Sequence, residues 1–154
     1  MCGIAGAIQL TGAIEDLQIQ RVQSMLNRII HRGPDERGFH SYKDHAVGSV
    51  RLKIVGDDYG HQPVMSGQYC LAYNGEIYNH TELSQKHNLS SLVDSDTEVL
   101  FRLLVSNGME LLDSLNGMFS FCFTTPEQIF LVRDRIGQKP LYYRGCPHYT
   151  MNIF

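Results

Sequence analysis

The second residue of the chain is a cysteine, and its type and position together could support nucleophilic catalysis. Removal of Met1, which the small size of cysteine permits, would leave Cys2 with both a thiol and the free α-amine. A thiol attacks as its thiolate and needs a partner to take its proton. An α-amine, with a pKa of about 7.7 to 8.0, can take and return that proton near neutral pH. Cys2 is therefore a candidate nucleophile that carries its own base, although a cysteine at this position alone is more often incidental.

The segment after Cys2 predicts how the thiol is positioned. GIAGAIQL has the length of a short buried strand and ends at the turn-forming pair Thr11-Gly12, so we expect Cys2 at the start of a strand. Residues 14–30 predict a helix that Gly33-Pro34 terminates. The apolar face of this helix consists of Val22, Met25, Leu26 and Ile29.

Further along the chain, residues 47–55 are rich in β-branched side chains and predict a strand. The dipeptide Asn74-Gly75 lies between two aromatic runs and predicts the corner of a β-hairpin. Ser95 and Glu98 have the spacing of a capping box and predict the start of a helix that Gly108 ends.

The last third of the sequence predicts more strands. GMFSFCF alternates phenylalanines with smaller residues, QIFLVRD follows a Thr-Pro turn, and RDRIGQKPLYY is expected to form a turn and one further strand. Several strands with two main helices predict a layered α/β (α+β) fold with antiparallel pairing. The length of 154 residues corresponds to one domain, residues 1–154.

Composition excludes several classes of function. The chain is 43% hydrophobic and 19% charged, as globular proteins are, and has no apolar run of the roughly 20 residues that cross a bilayer. The net charge is -3 and the basic residues are scattered, which argues against nucleic-acid binding. The start lacks a secretory signal, so we expect a cytoplasmic protein with four free thiols and no metal site.

Seven motifs in a fixed order strengthen the case for Cys2. They are MCGIAG, HRGPD, RL-I-V, NGEIYN, SDTE, GMFSF and RDRIGQKPLYY. In this order they closely resemble the glutaminase domain of glutamine-hydrolysing asparagine synthetase. That domain is a class II glutamine amidotransferase with the N-terminal-nucleophile hydrolase fold. The resemblance extends from Met1 to about Tyr143 and implies hydrolysis of glutamine to glutamate and ammonia.

The resemblance implies a role for each matching residue. Cys2 would form a γ-glutamyl thioester, while Asn74 and Gly75 would stabilise the oxyanion. Arg51 would bind the α-carboxylate of glutamine and Asp96 its α-ammonium group. The other residues implied to line the glutamine pocket are Leu52, Lys53, Ile54, Val55 and Glu76, and Arg32 is implied to fix the Cys2 terminus.

Each of these residues also has a purely structural explanation. Arg51 could be a surface arginine at a strand end, and Asp96 an acidic residue in the first turn of a helix. The apolar pocket residues could be ordinary strand core, and Lys53 could point from a strand into solvent. Asn74-Gly75 could be both a hairpin corner and an oxyanion site, because a turn presents unpaired backbone N–H groups.

The sequence departs from the family at two places. RLKIVG has Lys53 and Gly56 where the family usually has a small hydroxyl residue and an acid, which affects the fit of the pocket. The sequence after KPLYY lacks the family's further strands and its synthetase domain, so we expect a C-terminally incomplete fold. Unpaired strand edges would then make the chain fold partly or require a partner.

The resemblance also implies what lies outside this chain. No cofactor is expected within residues 1–154, since ATP and magnesium would belong to the synthetase domain or subunit that receives the ammonia. Three interpretations stay open: a glutaminase domain, an inactive remnant or interaction module with the same fold, and a hydrolase of another amide. The presence of Arg51 and Asp96 argues against the third. The oligomeric state, including a homodimer, is left open.

Overall fold

Two antiparallel sheets form the framework of the part of the chain that the structure describes. The computed structural model describes residues 2–9, 11–53, 60–89 and 95–145. The first sheet has the order β1-β3-β2, with β1 at Gly3–Ile8, β2 at Glu36–Tyr42 and β3 at His45–Arg51. The second sheet has the order β4-β5-β6-β7, with β4 at Val64–Ser66, β5 at Tyr69–Ile77, β6 at Gly117–Thr124 and β7 at Ile129–Arg133. The predicted mixed α/β class with antiparallel pairing is therefore confirmed.

In the described residues three α-helices accompany the sheets, and two of them were predicted. They are α1 at Asp16–Arg28, α2 at His80–Lys86 and α3 at Asp96–Asn107. The capping box predicted for α3 is wrong, because Ser95 makes no side-chain cap bond. Glu98 instead pairs with Arg102 one turn later, with 2.8 Å between Oε1 and Nε.

The elements stack in four layers in the order helix, sheet, sheet, helix. Val22 and Leu26 of α1 are fully buried against Ala46 and Val50 of β3. On the far side, α3 packs its leucines and Phe101 against β5 and β6, where Phe121 is fully buried. Smaller residues fill the space between the two sheets: Val47, Cys70, Ala72 and Cys122, with Ile4, Ile129 and Leu131 beside them. The larger core therefore lies under α3, and the layer between the sheets is built mainly from small side chains.

The strands β2 and β4 are absent from the predicted elements. The sequence of β2 is ERGFHSY, whose mixed polar pattern gives no clear period of two. It forms a strand because β3 pairs with it along its whole length, from Glu36 opposite Arg51 to Tyr42 opposite His45. Pairing with a buried central strand thus determines its conformation.

The strand predicted at KPLYY is wrong. Residues 138–145 belong to no strand in the described part of the chain. The Asp134 side chain accepts the backbone N–H groups of Gln138 and Lys139, and Pro140 has no N–H to donate. These backbone groups are therefore withheld from a sheet ladder. Leu141, Tyr142 and Tyr143 instead line a cavity of 490 Å³ with residues of both sheets.

The hairpin predicted at Asn74-Gly75 is also wrong, because both residues lie inside the nine-residue strand β5. Asn74 is opposite Ser120 and Gly75 is opposite Phe119 in the register with β6. A Cβ atom at Gly75 would lie 2.6 Å from Phe119 Cα, well inside van der Waals contact. Glycine is thus required here by close approach to the neighbouring strand, and turn geometry has no part in it.

The Asp134 carboxylate should stabilise the fold in a way that depends on pH. Its carboxylate is buried and accepts the backbone N–H groups of Phe119, Gln138 and Lys139 at 3.2, 2.8 and 2.9 Å. Burial raises the pKa of Asp134, but these N–H groups outweigh burial and hold the pKa below its ordinary value of 3.8. The stabilisation is therefore complete above the unfolded-state pKa and is lost as the pH falls through the folded-state pKa.

We expect Asp134→Asn to lower the free energy of unfolding by about 2 kcal/mol at pH 7, since charged acceptors contribute most. The difference between the two proteins should shrink as the pH falls below about 4. Urea unfolding at a series of pH values measures this difference. A difference that stays constant into acid would contradict the proposed role of the charge.

Candidate active site

A cavity of 160 Å³ is lined by the residues that the sequence predicted to catalyse the reaction or to bind the substrate's charged groups. Cys2, Arg51, Asn74, Gly75 and Asp96 all line it. The remaining lining residues are Leu52, Gln62, Tyr73, Glu76, His80, Ser95, Thr97, Met118 and Lys139. Residues as far apart as Cys2 and Asp96, 94 positions along the chain, thus meet in one cavity, which the start of β1, the end of β3, strand β5 and the start of α3 all reach.

Cys2 is partly exposed and stands immediately before β1, as predicted from the sequence. Arg32, in the 3-10 turn Ile30–Arg32, donates from Nε to the carbonyl oxygen of Cys2 at 3.2 Å. This bond ties the first described residue to the turn that follows α1. Arg32 therefore restrains the backbone that carries the thiol.

The outer edge of β5 presents a row of backbone N–H groups to the cavity. The N–H of Tyr73 donates to Gln62 Oε1 at 2.8 Å, and that of Ile77 donates to Asp96 Oδ2 at 3.0 Å. Phe119, opposite Gly75, directs its own N–H and C=O to Asp134 on the β7 side. In an antiparallel ladder, Gly75 then directs its N–H to the same outer edge as Tyr73 and Ile77. β4 has ended before this point, since it pairs only with residues 69–71.

Asn74 enters the site from the space between the sheets. Its side chain lies on the same face of β5 as Cys70 and Ala72, and the residue is 4% exposed. The Oδ1 atom is enclosed and has no hydrogen-bond partner in the described part of the chain. Asn74 therefore lines the cavity with a side chain whose Oδ1 is its enclosed end.

Arg51 is a buried cation at the end of β3, so its alternative placement as a surface arginine is wrong. Its Nη1 lies 3.1 Å from Glu36 Oε2, and Glu36 also pairs with His61 at 2.6 Å. Burial raises the pKa of Glu36, but the bonds from His61 and Arg51 outweigh it and lower the pKa overall. Glu36 therefore stays charged and holds the guanidinium at the cavity wall.

Asp96 is the first residue of α3 and is held by β5. Its Oδ2 accepts the Tyr73 hydroxyl at 2.7 Å and the Ile77 N–H at 3.0 Å. Burial, followed by the nearby Asp96 charge, raises the pKa of Tyr73 well above its ordinary value, so the phenol stays a donor. The Asp96 carboxylate is thus fixed at the cavity wall. Its charge is opposite to that of Arg51, which lines the same cavity.

Among the described residues expected to line the pocket, Lys53 is the one that the structure places elsewhere. Leu52 and Glu76 line the cavity, whereas Lys53 is exposed and lies outside the lining. The backbone N–H of Lys53 donates to Asp35 Oδ2 at 2.8 Å. Ile54 and Val55 lie outside the described residues.

Seven cavity residues were not predicted as site residues. Ser95, Thr97, Met118 and Lys139 lie within the quoted motifs but had no assigned role, whereas Gln62, Tyr73 and His80 lie outside those motifs. Tyr73 precedes Asn74 directly, so the NGEIYN motif gave a positional signal. Gln62 and Lys139 are both buried, but their approach to Cys2 depends on long-range contacts that no local pattern encodes.

The other described thiols differ sharply from Cys2. All three described cysteines are free. Burial raises the pKa of Cys70 to about 12, with a further increase from nearby Cys122, and burial raises the pKa of Cys122 to about 12. Thiols with such pKa values are almost entirely protonated at neutral pH and react slowly with electrophiles.

We therefore predict selective alkylation of Cys2 in the folded protein. In a Cys146→Ser variant, iodoacetamide at about pH 8 should modify one thiol under native conditions, because only Cys2 is both accessible and reactive. Peptide mass spectrometry measures the site. Labelling in denaturant is the control and should reach Cys70 and Cys122 as well. Native-state modification of either buried thiol at the rate of Cys2 would contradict the prediction.

The described residues contain neither a metal-site cluster nor a membrane-spanning helix. Within residues 2–9, 11–53, 60–89 and 95–145, no three His, Cys, Asp or Glu side chains converge as a metal site would need. None of the helices in these ranges is long and apolar enough to cross a bilayer.

Comparison with known proteins decides the family. Residues 1–153 match the family of glutamine amidotransferase domains. The chain belongs to this family. The resemblance drawn from the seven motifs is thereby confirmed. The amidotransferase domain is also similar to complete enzymes from bacteria and plants.

Three of these relatives are named as glutamine-hydrolyzing asparagine synthetases. Asparagine synthetase 2 of Bacillus subtilis strain 168 is 35% identical over 96% of this chain and 21% of its own length. Asparagine synthetase 3 of Arabidopsis thaliana and asparagine synthetase 2 of Oryza sativa subsp. japonica are each 38% identical over 92% of this chain and 25% of their own length. The amidotransferase domain thus corresponds to about a quarter of each of these relatives.

Proposed function

We propose that this domain hydrolyses glutamine to glutamate and ammonia through a thioester on Cys2. One observation carries the proposal: the partly exposed Cys2 shares a 160 Å³ cavity with a buried cation, an anchored carboxylate and the outer edge of β5. This arrangement supplies a nucleophile, hydrogen-bond donors and two opposite charges at one place. The family membership and the names of the relatives support glutamine as the amide.

Cys2 supplies both the nucleophile and the proton carrier of the reaction. With Met1 removed, the α-amine takes the thiol proton, and the thiolate sulfur attacks the side-chain amide carbon of glutamine. The resulting tetrahedral intermediate collapses by breaking its C–N bond, and the α-ammonium group returns the proton to the departing nitrogen. Ammonia leaves and a γ-glutamyl thioester remains. Water then attacks the thioester, releasing glutamate and the thiol.

The oxyanion that forms in each half needs donors placed in advance. The Gly75 N–H, at the outer edge of β5, and the amide nitrogen of Asn74, whose Oδ1 is enclosed, are suited to this role. On each side of Gly75 the neighbouring edge N–H groups are occupied, by Gln62 at Tyr73 and by Asp96 at Ile77. One such donor typically contributes about 3 to 4 kcal/mol of transition-state stabilisation.

The two charged groups suit the amino-acid end of glutamine. Arg51 would bind the α-carboxylate, since a guanidinium recognises a carboxylate through parallel N–H bonds. Asp96 would bind the α-ammonium group, its Oδ2 being fixed by the Tyr73 hydroxyl and the Ile77 N–H. Leu52 and Glu76 complete the lining in this proposal. Substrates lacking either end charge should bind weakly.

The ammonia would serve a synthetase domain or subunit. The relatives are named asparagine synthetases, and this chain matches about a quarter of their length. We propose that asparagine formation, with its ATP and magnesium, takes place outside residues 1–154, and that glutamine hydrolysis itself uses no cofactor. Free thiols at Cys2, Cys70 and Cys122 favour a reducing, cytoplasmic setting.

A glutamine analogue carrying a chloroketone in place of the amide tests the proposal. Intact-mass spectrometry should show one adduct on a chain that has lost Met1, mapped to Cys2, and an excess of glutamine should slow its formation. A parallel assay should detect glutamate and ammonia. A folded chain that retains Met1, takes no adduct and releases no ammonia would instead support the inactive-module interpretation.

A further inference from the structure

Three enclosed polar atoms without partners in the described residues belong to strands that reach the proposed active site. Asn74 Oδ1, Ser49 Oγ and Ser120 Oγ are enclosed and make no hydrogen bond in the described part of the chain. The residues are 4%, 1% and 0% exposed. Enclosed polar atoms in folded proteins are nearly always bonded to protein or to ordered water, so each of these atoms requires a partner.

The register of β5 with β6, together with the residues that bridge the two sheets, indicates that the three atoms share the layer between the sheets. Ser120 is the direct cross-strand partner of Asn74. Ser49 lies on the opposite sheet. The residues two positions before and two positions after it on β3 indicate where its side chain lies. Toward the cavity, Arg51 and Glu76 follow Ser49 and Asn74 by two residues and line the same cavity. Away from it, Val47 and Ala72 precede them by two residues and belong to the same buried cluster.

The chemistry of this layer suits one neutral molecule of water size. A hydroxyl can donate or accept by rotating, and an amide oxygen only accepts. A water can donate to Asn74 Oδ1 and exchange one further bond with each serine, which gives the three bonds typical of buried water. The three groups are uncharged, so the layer offers a cation no compensating charge. Val47, Ala72 and Cys122 close the layer on its inner side.

We propose that Ser49, Asn74 and Ser120 bind one buried water behind Cys2. This water fixes the Asn74 amide with its oxygen inward and its nitrogen toward the cavity. Ser49 and Ser120 are thereby positioning residues for the oxyanion donor, a role that rests on the proposed function. The water site itself rests only on burial and register.

Kinetics of single and double variants test the positioning role. Ser120→Ala and Ser49→Ala should each lower kcat roughly tenfold, less than the full loss of an oxyanion donor, with KM nearly unchanged. Because both serines act through one water, the double variant should be little worse than either single variant. Additive losses, or an unchanged kcat in both single variants, would overturn the positioning role. If one variant does not fold, the other decides.

Thr124→Ala is the matched control. Thr124 lies on the same face of β6, is 1% exposed and also has an enclosed hydroxyl without a partner in the described residues. It lies opposite Cys70, four residues further from the cavity along β6 than Ser120. We expect kcat to be unchanged in this variant. A loss equal to that of Ser120→Ala would show that any buried hydroxyl of β6 matters equally, and would overturn the proposal.

A crystal structure of the chain tests the water site without any assay. One ordered water within hydrogen-bond distance of Asn74 Oδ1 and both serine hydroxyls is the expected result, and it should be absent in Ser120→Ala. A direct bond from a protein donor to Asn74 Oδ1, with no water between the sheets, would overturn the site. If the wild-type chain releases no ammonia, the proposed function fails, and the crystal structure still decides the water site.

Discussion

Replacing Cys2 with serine should reduce glutamine hydrolysis by at least about a thousandfold, as removal of a catalytic nucleophile does in comparable enzymes. Serine is small enough to preserve removal of Met1 and differs from cysteine by one atom. Its hydroxyl holds its proton far more tightly than a thiol does, so in a site arranged for a thiol the α-amine should generate a much weaker nucleophile from it. The Arg32 bond to the Cys2 carbonyl involves only the backbone and should persist.

Ammonia release at saturating glutamine measures the effect, and intact mass verifies that Met1 is absent. Cys122→Ala is the control, because it removes a thiol that is buried between the sheets and lies outside the cavity lining. It should lose some stability and keep its kcat. Hydrolysis by Cys2→Ser within tenfold of wild type would contradict the proposed requirement for the thiol.

Local sequence patterns predicted the elements whose stability is largely local. The helix α1 has an apolar face that includes Val22 and Leu26. The helix α3 has a continuous apolar face and ends at Gly108. Both patterns repeat within one segment, so they identify the helix without knowledge of its neighbours. The position of Cys2 before β1 was predictable for the same reason. Motif resemblance then identified the family, which periodicity alone could not do.

Asn74-Gly75 shows where local patterns fail. The dipeptide strongly favours a tight turn in isolation, but here each residue serves a nonlocal requirement. Gly75 allows β5 to approach Phe119, and Asn74 projects into the layer between the sheets. The oxyanion role can still be proposed for this pair although it lies inside β5, but for a different physical reason. A strand edge that β4 leaves uncovered presents the N–H group, where a hairpin corner had been expected to do so.

The supporting residues of the site were beyond sequence reasoning for a similar reason. Tyr73 and Gln62 are separated by eleven positions, and Tyr73 and Asp96 by twenty-three, yet their bonds organise the edge of β5. Tyrosine and glutamine are common residues whose roles depend on what they meet in space. Only the register of β5 against β6, together with the approach of α3, brings these partners together.

Asn74→Ala should lower kcat about a hundredfold to a thousandfold, which is the usual cost of losing one oxyanion donor. The KM for glutamine should change little, because Arg51 and Asp96 rather than Asn74 are proposed to bind the amino-acid end. Stability should change modestly, since the substitution also removes an enclosed oxygen that has no protein partner in the described residues. A decrease in kcat without a matching decrease in unfolding free energy separates catalysis from folding.

Alkylation of Cys2 by iodoacetamide provides the sharpest control for Asn74→Ala. That reaction displaces iodide from a saturated carbon and develops no oxyanion, so its rate should stay within about twofold of wild type while hydrolysis falls. Equal losses of alkylation and hydrolysis would instead mean that Asn74 acts by positioning or activating the thiol. Unchanged hydrolysis would leave the Gly75 N–H as the sole donor proposed at this edge and would remove the need for the water behind Asn74. The two rates measured on one variant therefore distinguish oxyanion stabilisation from activation of the nucleophile.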